Sequence, residues 1–286
     1  MAFSPIAIVG RACILPKANT VDELWQKVKD RESMLSQVGA DRWRVAQEHI
    51  LAEDPKDSSD RTWSMQGGYV EGFEDIFDSS GFGIPASDIE GFDPLVHWVL
   101  HTIRESLKDG ATYSPERTGL VMGNLSFPTS SMSKVAEEHW FPEFQEGETA
   151  KGNRFMSGLP ALLMRKAFGF QGPCFALDSA CASALYAIKL ACNTLQDGKA
   201  DVMLAGAVNR ADDLFIHVGF SALQALSKSG QSRPFSAAAD GLIPAEGAGF
   251  VVLKRLKTAQ RDGDKIFGVI RGIGLSNDGR GRGLLV

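Results

Sequence analysis

Apolar and polar positions alternate along this chain in two rhythms, and the switch between them marks its most informative stretch. Residues 175–177 (Phe, Ala, Leu) are apolar and follow Gly172-Pro173, which predicts a turn feeding a short buried strand. From Cys181 the period lengthens. Leu185, Ile188, Ala191, Cys192 and Leu195 recur at three- and four-residue spacing, predicting a helix with one buried stripe that stops at Gly198. A strand, a sharp turn and a helix thus follow one another, with a cysteine at the turn.

The same reading predicts strands over residues 6–9, 119–122, 201–208, 250–253 and 266–275. It predicts helices over 160–168, 214–226 and 257–261. Two more helices carry start signals. Thr20-Val-Asp-Glu23 is a capping box ahead of an expected buried stripe of Leu24, Trp25 and Val28. Asp93-Pro94 pairs a cap with a first-turn proline, ahead of Leu95, Val99, Ile103 and Leu107 on one face. Residues 31–72 and 126–152 are polar with scattered aromatics, among them Trp43, Trp63 and Tyr69, and are expected to run over the surface. Residues 232–249 read as a glycine-rich loop. Strands alternating with helices predict an α/β fold with a mostly parallel central sheet.

Composition narrows the function. The net charge is −5 and there is no basic cluster, which argues against nucleic acid as a partner. No apolar run is long enough for a bilayer, and the start of the chain is a strand entry without a signal-peptide layout. The four cysteines (Cys13, Cys174, Cys181 and Cys192) form no C-x-x-C pair and no disulfide framework, so a reducing, cytoplasmic setting is expected.

A thiol in the first turn of a helix meets unpaired N–H groups and the positive end of the helix dipole, and both favour a nucleophilic thiolate. The small neighbours Ser179, Ala180, Ala182, Ser183 and Ala184 leave room for a substrate. The pattern alone also fits a buried structural cysteine. Asp178 reads as a turn-former bonding local N–H groups, since an anion beside the thiol would oppose its ionisation. His97 and His101 have metal-ligand spacing without a placed third ligand, and are expected to be packing or surface residues, as is His217 a structural one. No metal is expected. Glu246, followed by Gly247, could be a base or a buried support. Gly279-Arg-Gly-Arg-Gly283 fits no phosphate-loop spacing, and Asn124-Leu-Ser126 is a bare glycosylation sequon.

In order, these stretches resemble the β-ketoacyl synthases, the condensing domains of fatty-acid and polyketide synthases. Asp178-Ser-Ala-Cys181-Ala-Ser183 is similar to that family's Asp-Thr-Ala-Cys-Ser-Ser nucleophile motif, with Ser179 and Ala182 as mild departures. Phe92-Asp93-Pro94 resembles its Met-Asp-Pro helix start, and Ala205-Gly206-Ala207-Val208-Asn209 its Ala-Gly-Gly-Val-Asn strand. Arg233-Pro-Phe235, Asp240-Gly241 and Glu246-Gly-Ala-Gly249 resemble its Arg-Pro-Phe…Asp-Gly…Glu-Gly loop. Ile270-Arg-Gly272 and Asn277-Asp-Gly279 resemble the start of its second half. The flavour resembles that of iterative multidomain synthases, such as polyunsaturated fatty-acid or enediyne-type polyketide synthases.

The resemblance implies a thiolase-like layered α/β sandwich. Residues 1–256 would be its N-terminal half, with the surface insertions above, and 257–286 a linker helix and the start of the C-terminal half. It implies Cys181 as acyl acceptor, supported by Asp178, Ser179, Ala182 and Glu246, with Phe155, Met156 and Phe220 as candidates for the substrate pocket. No bound cofactor is implied, because the substrate rides on the phosphopantetheine of an acyl carrier protein. A homodimer through the strand at about 174–178 is expected. The family's His-Gly-Thr-Gly-Thr and Asn-Ile-Gly-His motifs, its lysine and its Gly-Phe-Gly-Gly loop would fall after Val286, so a missing half or partner subunit is also expected. A lone half would expose sheet and core surface.

Overall fold

A computed structural model describes residues 3–279, apart from 40, 41, 44, 57, 142, 144–148 and 278. In chain order its elements are β1 (Ile6–Ile14), α1 (Val21–Asp30), β2 (Ser36–Gln37), α2 (Gln47–Ile50), β3 (Gln66–Gly67), α3 (Ala86–Glu90) and α4 (Pro94–Lys108). There follow β4 (Thr118–Asn124), α5 (Ser130–Trp140), α6 (Leu159–Phe168), β5 (Cys174–Leu177), α7 (Ser183–Gln196) and β6 (Val202–Asn209). The chain continues through α8 (Asp213–Ala222), β7 (Gly247–Arg255), α9 (Leu256–Asp262) and β8 (Gly268–Ile270).

Side chains alternate across a strand, so each strand of the main sheet serves two cores. Leu120 and Met122 of β4, Leu204 of β6 and Val252 of β7 pack with α4 and α6 on one face. Val121, Met203, Ala205 and Leu253 pack against Ala187, Ala191 and Leu195 of α7 on the other. The expected layered α/β sandwich is the result. The six strands lie in the order β5-β4-β6-β7-β1-β8. The sheet is mixed: β5, β4 and β6, the strands around the cysteine turn, run parallel, and the antiparallel pairings begin at β7.

Several expectations need correction. The α1 stripe is not buried, since Trp25 is 63% and Val28 52% exposed. Periodicity reports which face is apolar, and of this one only Leu24 is half-buried. In α7, Leu185 is 60% exposed and Ile188 half-buried, while Ser183 and Ala187 face the sheet, because only small side chains fit where the helix lies closest to it. The strand before the cysteine, β5, is an edge strand and not a buried one, and Phe175 is exposed. β1 runs on through Gly10 with a bulge between Ile8 and Gly10. A Cβ at Gly10 would lie 2.1 Å from the Ser106 carbonyl oxygen, so the glycine marks a close approach of α4 and not a strand end. The helix expected over 214–226 stops at Ala222, with Gln224 left-handed (φ 54°), and β8 is shorter than the strand expected there.

The insertions are more structured than plain loops. Residues 31–72 are tied down as expected by aromatics: Trp43 and Tyr69 form a small third core with Val38, Met65 and Leu214. Residues 126–152 contain α5, whose N-cap Thr129 accepts from the Met132 N–H at 3.3 Å. Asp93 caps α4 as predicted, its Oδ1 accepting from the Leu95 N–H at 2.9 Å.

Candidate active site

The site is built at the end of the parallel strands. Leu177 at the end of β5 is in register with Gly123 of β4, and Gly123 with Ala207 of β6. The chain leaving β5 passes through a single 3-10 turn, Ala180–Ala182, before α7 begins. Cys181 is therefore one short turn ahead of the helix that the sequence pattern started at the cysteine itself. The thiol is exposed, which removes the buried-cysteine alternative.

The turn is strained and pinned. Ala180 is left-handed at φ 49°, a conformation non-glycine residues rarely adopt. Asp178 holds it from one side: its Oδ1 accepts from the Ala180 N–H at 2.9 Å, and its Oδ2 from the Ser126 N–H at 2.8 Å. These backbone donors, Ser126 first, keep the Asp178 carboxyl below the usual carboxylate range. Asp178 is thus the turn-former expected of it, and it also ties the turn to the loop after β4. The Ser179 carbonyl accepts from the Ala182 N–H at 3.2 Å, which closes the 3-10 turn.

Two features were not singled out from the sequence. The buried Ser183 hydroxyl accepts from the Ser179 N–H at 2.9 Å and donates to the Ala180 carbonyl at 2.7 Å. A small hydroxyl residue in a first helical turn is the signal that could have found it. Asn124, at the end of β4, is buried and donates from Nδ2 to the Met156 carbonyl at 2.7 Å and the Ser157 carbonyl at 3.1 Å. Its amide is committed to that loop, so the sequon is not an exposed acceptor.

Residues 155–157 therefore sit at the same end of the sheet as the cysteine turn. Phe155 is exposed with the Arg154 guanidinium over its ring at 5.8 Å, whereas the Met156 side chain is buried in the core. Phe220 is half-buried on α8. The same helix brings Phe215 against Phe127, ring centroids 5.4 Å apart, next to the Ser126 that bonds Asp178.

Glu246 lies just before β7, whose Gly249 pairs with Ala207. From β5 to β7 is three strand spacings, roughly 14 Å. Glu246 is buried and already engaged. Its Oε1 accepts from the Val70 N–H at 2.8 Å, its Oε2 meets the Arg42 guanidinium, and Arg210 stands 3.7 Å away. Burial pushes its carboxyl up, against the pull of Arg210 and Arg42. It anchors the 31–72 insertion to the sheet.

The histidines are packing residues. His97 bonds the Ile89 carbonyl at 2.7 Å and stacks on Phe77, and His101 packs edge-on to Phe73. His217 bonds the Tyr69 hydroxyl at 3.2 Å beside Trp43. Among the described residues no cluster of three His, Cys, Asp or Glu side chains could hold a metal ion. Residues 280–283 of the glycine-arginine run lie outside the described residues.

The family model for the β-ketoacyl synthase N-terminal domain matches residues 3–259. The chain belongs to the β-ketoacyl synthase family. Relatives include polyketide synthase PksL of Bacillus subtilis, 31% identical over 98% of this chain and 6% of its own length. Another is the PKS-NRPS hybrid synthetase ATPKS of Aspergillus niger, 34% identical over 96% of this chain and 15% of its own. Among solved structures, the PfaC keto synthase–chain length factor superposes with a TM-score of 0.88 at 36% identity, covering 97% of this chain and 32% of that one. A Streptomyces albus ketosynthase domain, OzmH KS7 of oxazolomycin, gives 0.83 at 29% identity, over 98% and 47%. The chain thus has the thiolase-like ketosynthase fold and spans a small part of these synthases and under half of these ketosynthase structures. No helix among the described residues is long and apolar enough to cross a membrane.

Proposed function

We propose that this chain carries the acyl-accepting half of a condensing enzyme, with Cys181 as its nucleophile. The observation that supports it most is the exposed thiol on a strained, doubly pinned turn between β5 and α7. The Cys181 thiolate attacks the carbonyl of an acyl thioester carried on the phosphopantetheine of an acyl carrier protein. The tetrahedral adduct collapses with loss of the carrier thiolate, which takes up a proton, and leaves an acyl-cysteine. The Cys181 N–H is one candidate donor to the oxyanion; removing a donor of this kind costs about 100- to 1,000-fold in comparable acyl transfers. A malonyl carrier then loses carbon dioxide, and its carbanion attacks the acyl-cysteine, releasing the thiolate and forming the new carbon–carbon bond.

The family's His-Gly-Thr-Gly-Thr and Asn-Ile-Gly-His motifs, whose histidines assist the decarboxylation, do not occur in these 286 residues. The chain by itself is therefore expected to stop at the acyl-cysteine. The side of β5 left unpaired among the described residues supports a second copy as partner, and the acyl carrier protein is the other. The cytosol is the compartment that fits four free thiols.

Intact mass after incubation with an acyl-carrier thioester tests this reading. A single acyl adduct on the native chain, absent from Cys181→Ala, is expected, without ketoacyl product. A folded chain that stays unacylated, or an adduct that survives in Cys181→Ala, would overturn it.

A further inference from the structure

We propose that Ser183 is the positioning residue of the nucleophile turn. This rests on the reading of Cys181 as nucleophile, but it concerns a side chain that never meets the substrate. A hydroxyl in the first turn of a helix ordinarily serves that helix. Here α7 has Ala182 at its N-cap and no side-chain cap bond. The Ser183 hydroxyl turns back instead, accepting from the Ser179 N–H at 2.9 Å and donating to the Ala180 carbonyl at 2.7 Å. These two backbone groups bracket the φ of Ala180, the one left-handed residue of the turn, at 49°.

The clamp is dry. Ser183 is 5% exposed because Gly123 of β4 lets the first turn of α7 settle onto the sheet; a Cβ there would lie 2.7 Å from the Ser183 Cβ. Away from water, a satisfied hydroxyl is worth more and a lost one costs more. Asp178 holds the Ala180 N–H from the other side. The amide and the carbonyl of Ala180 are therefore both fixed by side chains, and the direction in which Cys181 leaves the turn is fixed with them. Without the hydroxyl, Ala180 would relax toward ordinary dihedrals and carry the thiol off the crest.

The test uses the full chain and two probes of Cys181: alkylation by iodoacetamide, and acylation by an octanoyl N-acetylcysteamine thioester, both followed by intact mass. Ser183→Ala is expected to slow both reactions roughly tenfold, the equivalent of one net hydrogen bond. Glycine takes the left-handed conformation without penalty. Adding Ala180→Gly to Ser183→Ala is therefore expected to restore most of the lost rate, which a general loss of stability would not allow. Wild-type rates in Ser183→Ala would overturn the proposal, as would a slow Ser183→Ala whose rate Ala180→Gly leaves unchanged. If Ser183→Ala does not fold, a folded and reactive double variant supports the proposal and an unfolded or inert one overturns it. A wild-type chain that is alkylated at Cys181 but not acylated would reject the acyl-acceptor reading, while the alkylation rates still decide the role of Ser183.

Discussion

At the scale of single residues, the four cysteines separate by environment. Cys181 is exposed, whereas Cys13 and Cys192 are buried, and burial pushes each of their thiols up to about 11. Cys174, half-buried on β5, is pushed up by the same cause. A thiol at about 11 is ionised to roughly one part in a thousand at about pH 8, and only the thiolate attacks. Iodoacetamide is therefore expected to label the native protein at Cys181 first and nearly alone. Cys181→Ala should leave the native chain almost unlabelled until denaturant exposes the others. Early labelling of Cys13 or Cys192 in peptide maps would contradict the burial described here. The sequence made Cys181 legible because a strand pattern, a run of small residues and a helix pattern converge on it. It did not show Ser183 as a clamp or Asn124 as a loop anchor, since both roles depend on which backbone groups the fold brings within reach.

At the scale of elements, the glycines show what patterns carry and what they miss. Gly123 sits where α7 crosses β4, and a Cβ would lie 2.7 Å from the Ser183 Cβ and 3.1 Å from the Ala207 Cβ. Gly219, inside the exposed face of α8, would meet nothing within 4 Å. Gly123→Ala is expected to destabilise by about 1–3 kcal/mol through overpacking. Gly219→Ala is expected to stabilise by about 0.5–1 kcal/mol through helix propensity. Thermal melts that move in opposite directions would bear this out; equal shifts would place the close approach elsewhere. Both glycines look alike in the sequence, and the same limit explains the errors over α1 and α7. Periodicity identified an apolar face on each helix but not its neighbour. The neighbour of α7 is a sheet so close that it selects alanine and serine, while the face of α1 stays largely open at Trp25 and Val28. Capping signals are more reliable, as at Thr20 and Asp93, because they act within a few residues.

For the whole molecule, buried titratable groups set how stability responds to pH. Burial lowers the pKa of His101 and of His217 from the ordinary 6.5. His101 lies against Phe73, with Glu105 favouring its charged form and Arg104 and Lys108 opposing it. His217 lies between Trp43 and Tyr69, with Asp213 favouring its charged form and Arg42 opposing it. Below 6.5 the unfolded chain takes up protons that the native imidazoles refuse, so stability is full above that pH and is lost as pH falls through it. A second loss follows in stronger acid. Asp178, Asp201, Asp240 and Asp262 are held below their ordinary 3.8 by hydrogen bonds and ion pairs, so the unfolded state again binds protons first. Glu246 works the other way: raised above 4.5, it binds its proton first in the native state, and between the two losses it offsets part of the slope. Melting temperature is therefore expected to be flat from 6.5 up to about 9.0, where the buried thiols begin to ionise in the unfolded chain only, to fall just below 6.5, and to fall again below 3.8. Replacing both histidines by glutamine should remove the first fall and leave the second. A first fall that persists in that double variant would mean that the proton uptake belongs to other groups, and that the histidines at the joints of α4 and α8 are not what sets the acid limit of this fold.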